Sequence, residues 1–166
     1  MTPRIGIGYD IHRFQEGRPL KLGGVRVPWP RGLGGHSDAD VLLHAVMDAM
    51  LGAAGLGDLG QHFPPDDPAY EGTDSLELLR RVKTMVRQAG LEPLGIDATV
   101  IAQEPALAAY LPAMRRTIAA ELGLDETRVN VKAKSHEGLG ALGRREGIAA
   151  LAVALLGETG HGPSSQ

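Results

Sequence analysis

Three side chains in this sequence have the types and spacing to hold a catalytic metal ion: Asp10, His12 and His44. Asp10 and His12 stand two residues apart, and in an extended segment side chains at i and i+2 leave the same face, so both can reach one cation. His44 falls between Asp40 and Asp48 at i, i+4 spacing. On a helix those positions stack along one stripe, so either carboxylate can take the second ring nitrogen while the first faces a metal. An Asp, His, His set leaves the fourth position of a tetrahedral zinc site open, which is the catalytic rather than the structural arrangement. The alternative is that Asp10 merely ends a strand and that Asp40, His44 and Asp48 are the solvated face of an amphipathic helix. The chain has no cysteine, so any metal must rest on histidine and carboxylate.

The elements that must position these residues are legible in outline. Residues 4–9 alternate Ile5 and Ile7 with glycines and read as a strand approached closely by another backbone. Residues 21–27 read as a hairpin turning at Gly23-Gly24, followed by a flexible connection through Trp29, Gly32, Gly34 and Gly35. Ser37 or Asp38 can cap a helix whose buried stripe is Val41, Leu42, Ala45, Val46, Ala49 and Met50, ending near Gly52 or Gly55. Residues 57–72, with Pro64, Pro65 and Pro68, are too rich in breakers for regular structure, and loops of such length tend to be functional. A second helix starts after Thr73 or Asp74 and closes at Gly90, and residues 94–101 alternate as a strand. A third helix starts at Pro112 and ends before Gly123; residues 128–134 form another strand and 135–145 a Gly-rich loop, while the apolar run 147–157 fits a buried strand or a short helix and is read as a strand because it would complete a sheet. This order predicts an α/β sandwich with helices on one sheet face.

With 166 residues and 43% hydrophobic content the chain is expected to form one domain over 1–157, with 158–166 a disordered tail. Seventeen basic against twenty acidic side chains give a net charge of −3, which argues against binding to nucleic-acid backbone or an anionic membrane surface. An aromatic fraction of 4% argues against a base-stacking surface. The first residues lack the apolar stretch of a signal peptide, and the apolar run 148–156 is too short to span a bilayer, so a cytoplasmic protein is expected. His62 and His161 read as surface histidines.

Several separated blocks carry a resemblance. Arg4-Ile5-Gly6-Ile7-Gly8-Tyr9-Asp10-Ile11-His12-Arg13-Phe14, His36-Ser37-Asp38-Ala39-Asp40-Val41, His44-Ala45 and Asp48-Ala49 stand in the order seen in one family, with Gly57-Asp58-Leu59-Gly60, Ile101-Ala102-Gln103, Val129-Asn130-Val131-Lys132-Ala133, Glu137, Leu139-Gly140, Gly143-Arg144 and Glu146-Gly147 following. From Arg4 to about Leu156 the chain resembles the 2-C-methyl-D-erythritol 2,4-cyclodiphosphate synthases.

The resemblance implies an enzyme of the non-mevalonate isoprenoid route that cyclises 4-diphosphocytidyl-2-C-methyl-D-erythritol 2-phosphate and releases CMP. It implies a homotrimer with a four-stranded mixed sheet and a small hairpin per subunit around a threefold axis, and active sites at the subunit interfaces. In such a reaction the substrate's own 2-phosphate attacks the β-phosphorus, so no general base is obligatory, and the protein must supply in-line positioning and charge neutralisation.

By the same resemblance Asp10, His12 and His44 hold zinc, and Glu137 holds a second divalent ion, Mg or Mn, that bridges the substrate phosphates. His36 and Ser135 are implied to stabilise the transition state, and His36 and Ser37 to contact the methylerythritol phosphate, with Ile11 beside them. Asp58, Leu59 and Gly60 map to sugar or erythritol hydroxyls, and Phe63, Asp66 and Asp67 to a loop over the methylerythritol moiety. Cytosine would be read by backbone groups of a neighbouring subunit over 102–108, from Ala102 on, and along Ala133, Lys134, Ser135 and His136.

The chain departs from the family pattern at Pro65, where an acidic residue is usual, at Lys134, where Thr is usual, and at Ala141, where Phe is frequent. The last change and Leu151 bear on an axial channel that can hold an isoprenoid diphosphate, which Arg144 would face unless it pairs with Glu146. The competing readings are a zinc-dependent phosphohydrolase and a non-catalytic metal- or nucleotide-binding module.

Overall fold

The structure is a computed structural model and describes residues 2–160. Its centre is a five-stranded mixed sheet in the order β4-β1-β7-β5-β6: β4 (Arg31–Leu33), β1 (Arg4–Glu16), β7 (Gly147–Glu158), β5 (Leu91–Ile101) and β6 (Val129–Lys134). Only β5 and β6 run parallel; the other neighbours are antiparallel. A separate hairpin pairs β2 (Leu20–Leu22) with β3 (Val25–Val27). Its two-residue turn needs φ > 0 at both central positions, and Gly23 and Gly24 supply φ of 59° and 74°.

The sheet has five strands where four were expected. β1 runs on to Glu16, well past the expected end at residue 9, and its far half offers Phe14, Gln15 and Glu16 as partners for Arg31–Leu33. That segment reads as a flexible connection because three residues with a central glycine carry no period. At the other end Glu158 pairs with Leu91, and the Thr159 amide donates to Gly90, so the tail does not begin at 158. Residues 161–166, with the expected tail and His161, lie outside the described residues.

The helices α1 (Val41–Ala54), α3 (Ser75–Gln88) and α4 (Leu111–Leu122) pack on one sheet face. α1 is apolar nearly all round because it is the middle of the core, buried by the sheet below and α3 beside it. It lies directly on β1. A Cβ placed on Gly8 would stand 1.9 Å from the Ala45 carbonyl oxygen, and one on Gly6 2.1 Å from that of Ala49. Glycine on the strand and alanine on the helix therefore let two backbones touch, which brings His44 down onto β1 beside Asp10 and His12.

The cap of α1 is Asp40, not Ser37 or Asp38. Its fully buried carboxylate accepts from the amides of Leu43 (3.0 Å), Gly23 (2.9 Å) and Gly24 (2.7 Å), so one side chain caps the helix and closes the hairpin turn. Residues 57–72 are also more regular than expected. They contain α2 (Leu59–His62) and a 3₁₀ turn over Pro68–Tyr70, capped by Asp58 and Asp67.

Candidate metal centre and substrate cleft

Alternation along β1 sends Gly6, Gly8, Asp10 and His12 to the helix face, while Ile5, Ile7, Tyr9 and Ile11 leave on the other. Asp10, His12 and His44 then meet. Asp10 Oδ2 lies 2.8 Å from His12 Nε2 and 3.0 Å from His44 Nδ1, and those two nitrogens are 3.2 Å apart. One ligand atom from each residue falls in a single group able to hold a metal ion.

The outer ring nitrogens are held by the protein. His12 Nδ1 donates to the Gly34 carbonyl at 2.7 Å, and a carbonyl only accepts, so the lone pair of a neutral His12 ring sits on Nε2, facing the cluster. His44 Nε2 lies 3.1 Å from both Ser37 Oγ and Ser75 Oγ. Burial works against ionisation of Asp10, but hydrogen bonds and charge from His12 and His44 hold its carboxyl well below the usual carboxylate range. Burial lowers the His12 pKa, and its hydrogen bond and ion pair with Asp10 outweigh that, leaving it above 6.5. A permanently ionised carboxylate with two imidazole nitrogens turned towards it is a donor set that suits Zn²⁺.

The expected stripe of Asp40 and Asp48 around His44 does not form. Asp40 is consumed as the cap, and Asp48 accepts from the Leu59 amide at 2.7 Å. Burial, with a smaller push from the charges of Asp10 and Asp58, raises the Asp48 pKa against the pull of that amide. Equal spacing on a helix placed three residues on one side; backbone amides from elsewhere recruited two of them.

A cleft of about 250 Å³ opens over the cluster, lined by Asp10, His12, His36, Ser37, His44 and Asp48 on one side and by Leu59, Gly60, Phe63, Pro65, Tyr70 and Leu78 on the other. His36 Nε2 donates to the Asp67 carbonyl at 2.7 Å, which ties the 57–72 segment over the site. Phe63 and Tyr70 pack edge to face, 5.2 Å between ring centres. Arg18, which drew no notice in the sequence, donates to the carbonyls of Gly35 (2.6 Å) and Ser37 (2.5 Å) and fixes the loop that carries His36 and Ser37. Tyr70, Leu78, Ser75 and Arg18 are site residues that no local motif marks.

Other expected site residues lie elsewhere. Asp58 is exposed as the cap of α2, and Asp66 is exposed in the loop. The Ile11 side chain points to the opposite sheet face, where it lines a second hollow with Ala141 and Leu142. Arg144 is exposed and donates to Glu146 at 2.8 Å.

Ala102, Ala133, Lys134, Ser135, His136 and Glu137 gather at the ends of β5 and β6. The Ala102 amide donates to the Lys134 carbonyl, and Ser135 Oγ donates to Glu137 Oε1 at 3.2 Å. The registers Ile11 to Ala149, Ala149 to Ile101 and Ile101 to Lys134 put this group level with the metal ligands but three strand spacings, about 14 Å, to one side. None of these residues lines the cleft.

The sequence matches the model of the YgbB family over residues 3–157. The 2-C-methyl-D-erythritol 2,4-cyclodiphosphate synthase of Symbiobacterium thermophilum is 59% identical over 152 residues, 92% of this chain and 97% of that protein. The enzyme of the same name from Bordetella petrii is 61% identical over 153 residues, 92% and 94% of the two chains. A solved 2C-methyl-D-erythritol-2,4-cyclodiphosphate synthase in its CDP-bound form superposes with a TM-score of 0.85 at 38% identity, covering 93% of this chain and 100% of that one.

Proposed function

The chain belongs to the YgbB family and has the 2-C-methyl-D-erythritol 2,4-cyclodiphosphate synthase activity of isoprenoid biosynthesis, and on that premise we propose how its own residues carry the reaction. Asp10, His12 and His44 hold zinc, the reading supported by three donor atoms within 3.2 Å of one another and by outer ring nitrogens already engaged. An ion there supplies Lewis-acid neutralisation and a fixed point for a phosphate oxygen.

The protein's share is positioning. His36 and Ser37, on the loop pinned by Arg18, face the cleft where the 2-phosphate of the substrate would lie, with Phe63, Pro65 and Tyr70 as a largely apolar wall of it. The nucleophile is an anion at neutral pH, so these groups orient and stabilise rather than remove a proton. An oxygen of the 2-phosphate forms a bond to the β-phosphorus, the bond from the β-phosphorus to the oxygen that bridges to the α-phosphorus breaks, and CMP leaves with that oxygen and its electron pair.

Glu137 as ligand of a second divalent ion, Ser135 as transition-state donor, and Ala102, Ala133, Lys134 and His136 as the cytidine wall belong to a different copy of the chain. The 14 Å offset within one chain supports this, as does the exposed apolar sheet face: Ile5 and Ile7 are 72% and 71% exposed, with Tyr9, Ile11, Leu151 and Val153 beside them. Burying that stripe around a threefold axis gives a homotrimer with shared sites. Asp58, Leu59, Gly60, Asp66 and Asp67 then face the sugar end, and Arg144 stands near the axis. No helix among the described residues is long and apolar enough to cross a membrane, which accords with a cytoplasmic enzyme.

The observation that carries the reading is the Asp10, His12 and His44 cluster at the floor of an open cleft. Phosphorus NMR of the protein with the diphosphocytidyl substrate and Mg²⁺ tests it. A cyclic diphosphate and CMP are expected; inorganic phosphate or a linear diphosphate would instead mark a zinc phosphohydrolase, and no turnover a binding module.

A further inference from the structure

Asp38 and Ser75 play no part in the chemistry set out above, yet they stand directly behind His44. Ser75 is fully buried at the first turn of α3, and its Oγ faces His44 Nε2 at 3.1 Å on one side and Asp38 Oδ1 on the other. Asp38 Oδ2 also accepts from the Ser75 amide at 3.0 Å, and Lys21 Nζ lies 3.6 Å from the same oxygen.

Proton counting gives this chain of contacts a direction. A hydroxyl has one proton, and a carboxylate can only accept, so the Ser75 proton is committed to Asp38. Ser75 Oγ is then left with lone pairs alone towards His44, which requires a ring proton on Nε2; when an ion displaces the Nδ1 proton that otherwise bonds Asp10, the neutral ring keeps Nε2–H and turns the Nδ1 lone pair to the ion. The opposite tautomer would set two lone pairs against each other across a buried 3.1 Å contact. Ser37 Oγ, also 3.1 Å from Nε2, accepts from the Ala39 amide at 3.3 Å, so with His44 Nε2–H supplied by the ring its own proton is uncommitted and can go to a phosphate in the cleft.

We propose that Asp38 is a positioning residue that acts through Ser75 to fix the His44 tautomer, so that the two serines on one nitrogen have separate duties: Ser75 orders the metal ligand and Ser37 donates to substrate. This rests on the metal reading above. The carboxylate is what sets the direction. An asparagine at 38 has one oxygen where the site needs two acceptors, and if its amide group turns to Ser75 Oγ the serine proton swings to Nε2 and favours the tautomer that cannot bind metal.

The test is zinc affinity of the full chain, by competition with a chromophoric chelator at fixed neutral pH, together with thermal midpoints of the metal-free proteins. Asp38→Asn and Ser75→Ala are each expected to weaken zinc binding about 10- to 100-fold, the usual cost of losing a hydrogen bond behind a ligand. The double variant should be no weaker than the worse single one, because both act on the same ring. Ser37→Ala should bind zinc as the native chain does. If Asp38→Asn does not fold, the contrast of Ser75→Ala with Ser37→Ala still decides. Native-like zinc affinity in Ser75→Ala, additive losses in the double variant, or an equal loss in Ser37→Ala would each overturn the proposal while leaving the metal reading intact. A native chain that binds no zinc removes both.

Discussion

The two halves of the site are built in opposite ways. Around Asp10, His12 and His44 every ring nitrogen is engaged, His44 is 8% exposed, and the backbones of β1 and α1 touch through Gly6 and Gly8. At the ends of β5 and β6, Ser135, His136 and Glu137 are exposed and bond mainly to each other and to their own loop. The first half is specified by folding. Among the described residues the second half lines no part of the cleft over the metal ligands, and in the proposed trimer it completes the cleft of another copy. The same division runs along β1, whose even positions from 6 to 12 build the metal half while its odd positions from 5 to 11 make an exposed apolar face, the one proposed to meet other copies.

The largest separation of the two halves comes from removing one residue of each. His44→Ala is expected to abolish turnover and bound zinc together, whereas Glu137→Ala should lose turnover with zinc at the native level. Elemental analysis beside an activity assay checks both, and zinc retained by His44→Ala would break the contrast.

Ile7→Lys tests the divided strand. A charge in an apolar contact is costly unless paired, so this variant is expected to be a folded, zinc-bound, inactive smaller particle by sedimentation. An active monomer would mean that the site is complete in one chain.

Gly8→Ala acts on the other side of the same strand. The added methyl meets the Ala45 carbonyl, the helix must shift, and overpacking of this kind costs about 1–3 kcal/mol. Calorimetry should show a lower midpoint, and chelator competition a weaker zinc site, since Ala45 adjoins His44.

The smallest effect is one of pH. His12 has a folded pKa above 6.5, so its protonated form and the bond to Asp10 stabilise the metal-free fold fully below 6.5, and that contribution fades as pH rises through the raised value. Zinc competes for the same nitrogen, so its affinity moves the other way and falls on acidification. Thermal midpoints against pH, with and without zinc, should therefore have slopes of opposite sign through this range, and parallel slopes would contradict the assignment of His12 as a ligand.

The local parts of this design were legible in the sequence. Asp10 and His12 follow from period two on one strand, the hairpin from Gly23-Gly24, α1 from its apolar stripe, and α3 from its capping residue and the closing Gly90. What failed depended on partners far along the chain. Asp40 and Asp48 look like companions of His44, but amides of Gly23, Gly24 and Leu59 claim them. Gly34, Ser75 and Arg18 secure the site from three other segments, and nothing in their own neighbourhoods says so. The fifth strand was hidden because three residues cannot display a period. Family resemblance brought in Ser135 and Glu137, which spacing within the chain cannot connect to the metal.

The central claim is that the metal half of each site comes from one copy and the nucleotide half from another. Mixing His44→Ala chains with Glu137→Ala chains after gentle dissociation tests it directly, because each variant alone is inactive. Sites that pair an intact metal half with an intact Glu137 loop from different copies should restore a substantial fraction of native turnover. Mixed particles verified by mass that stay inactive would contradict it.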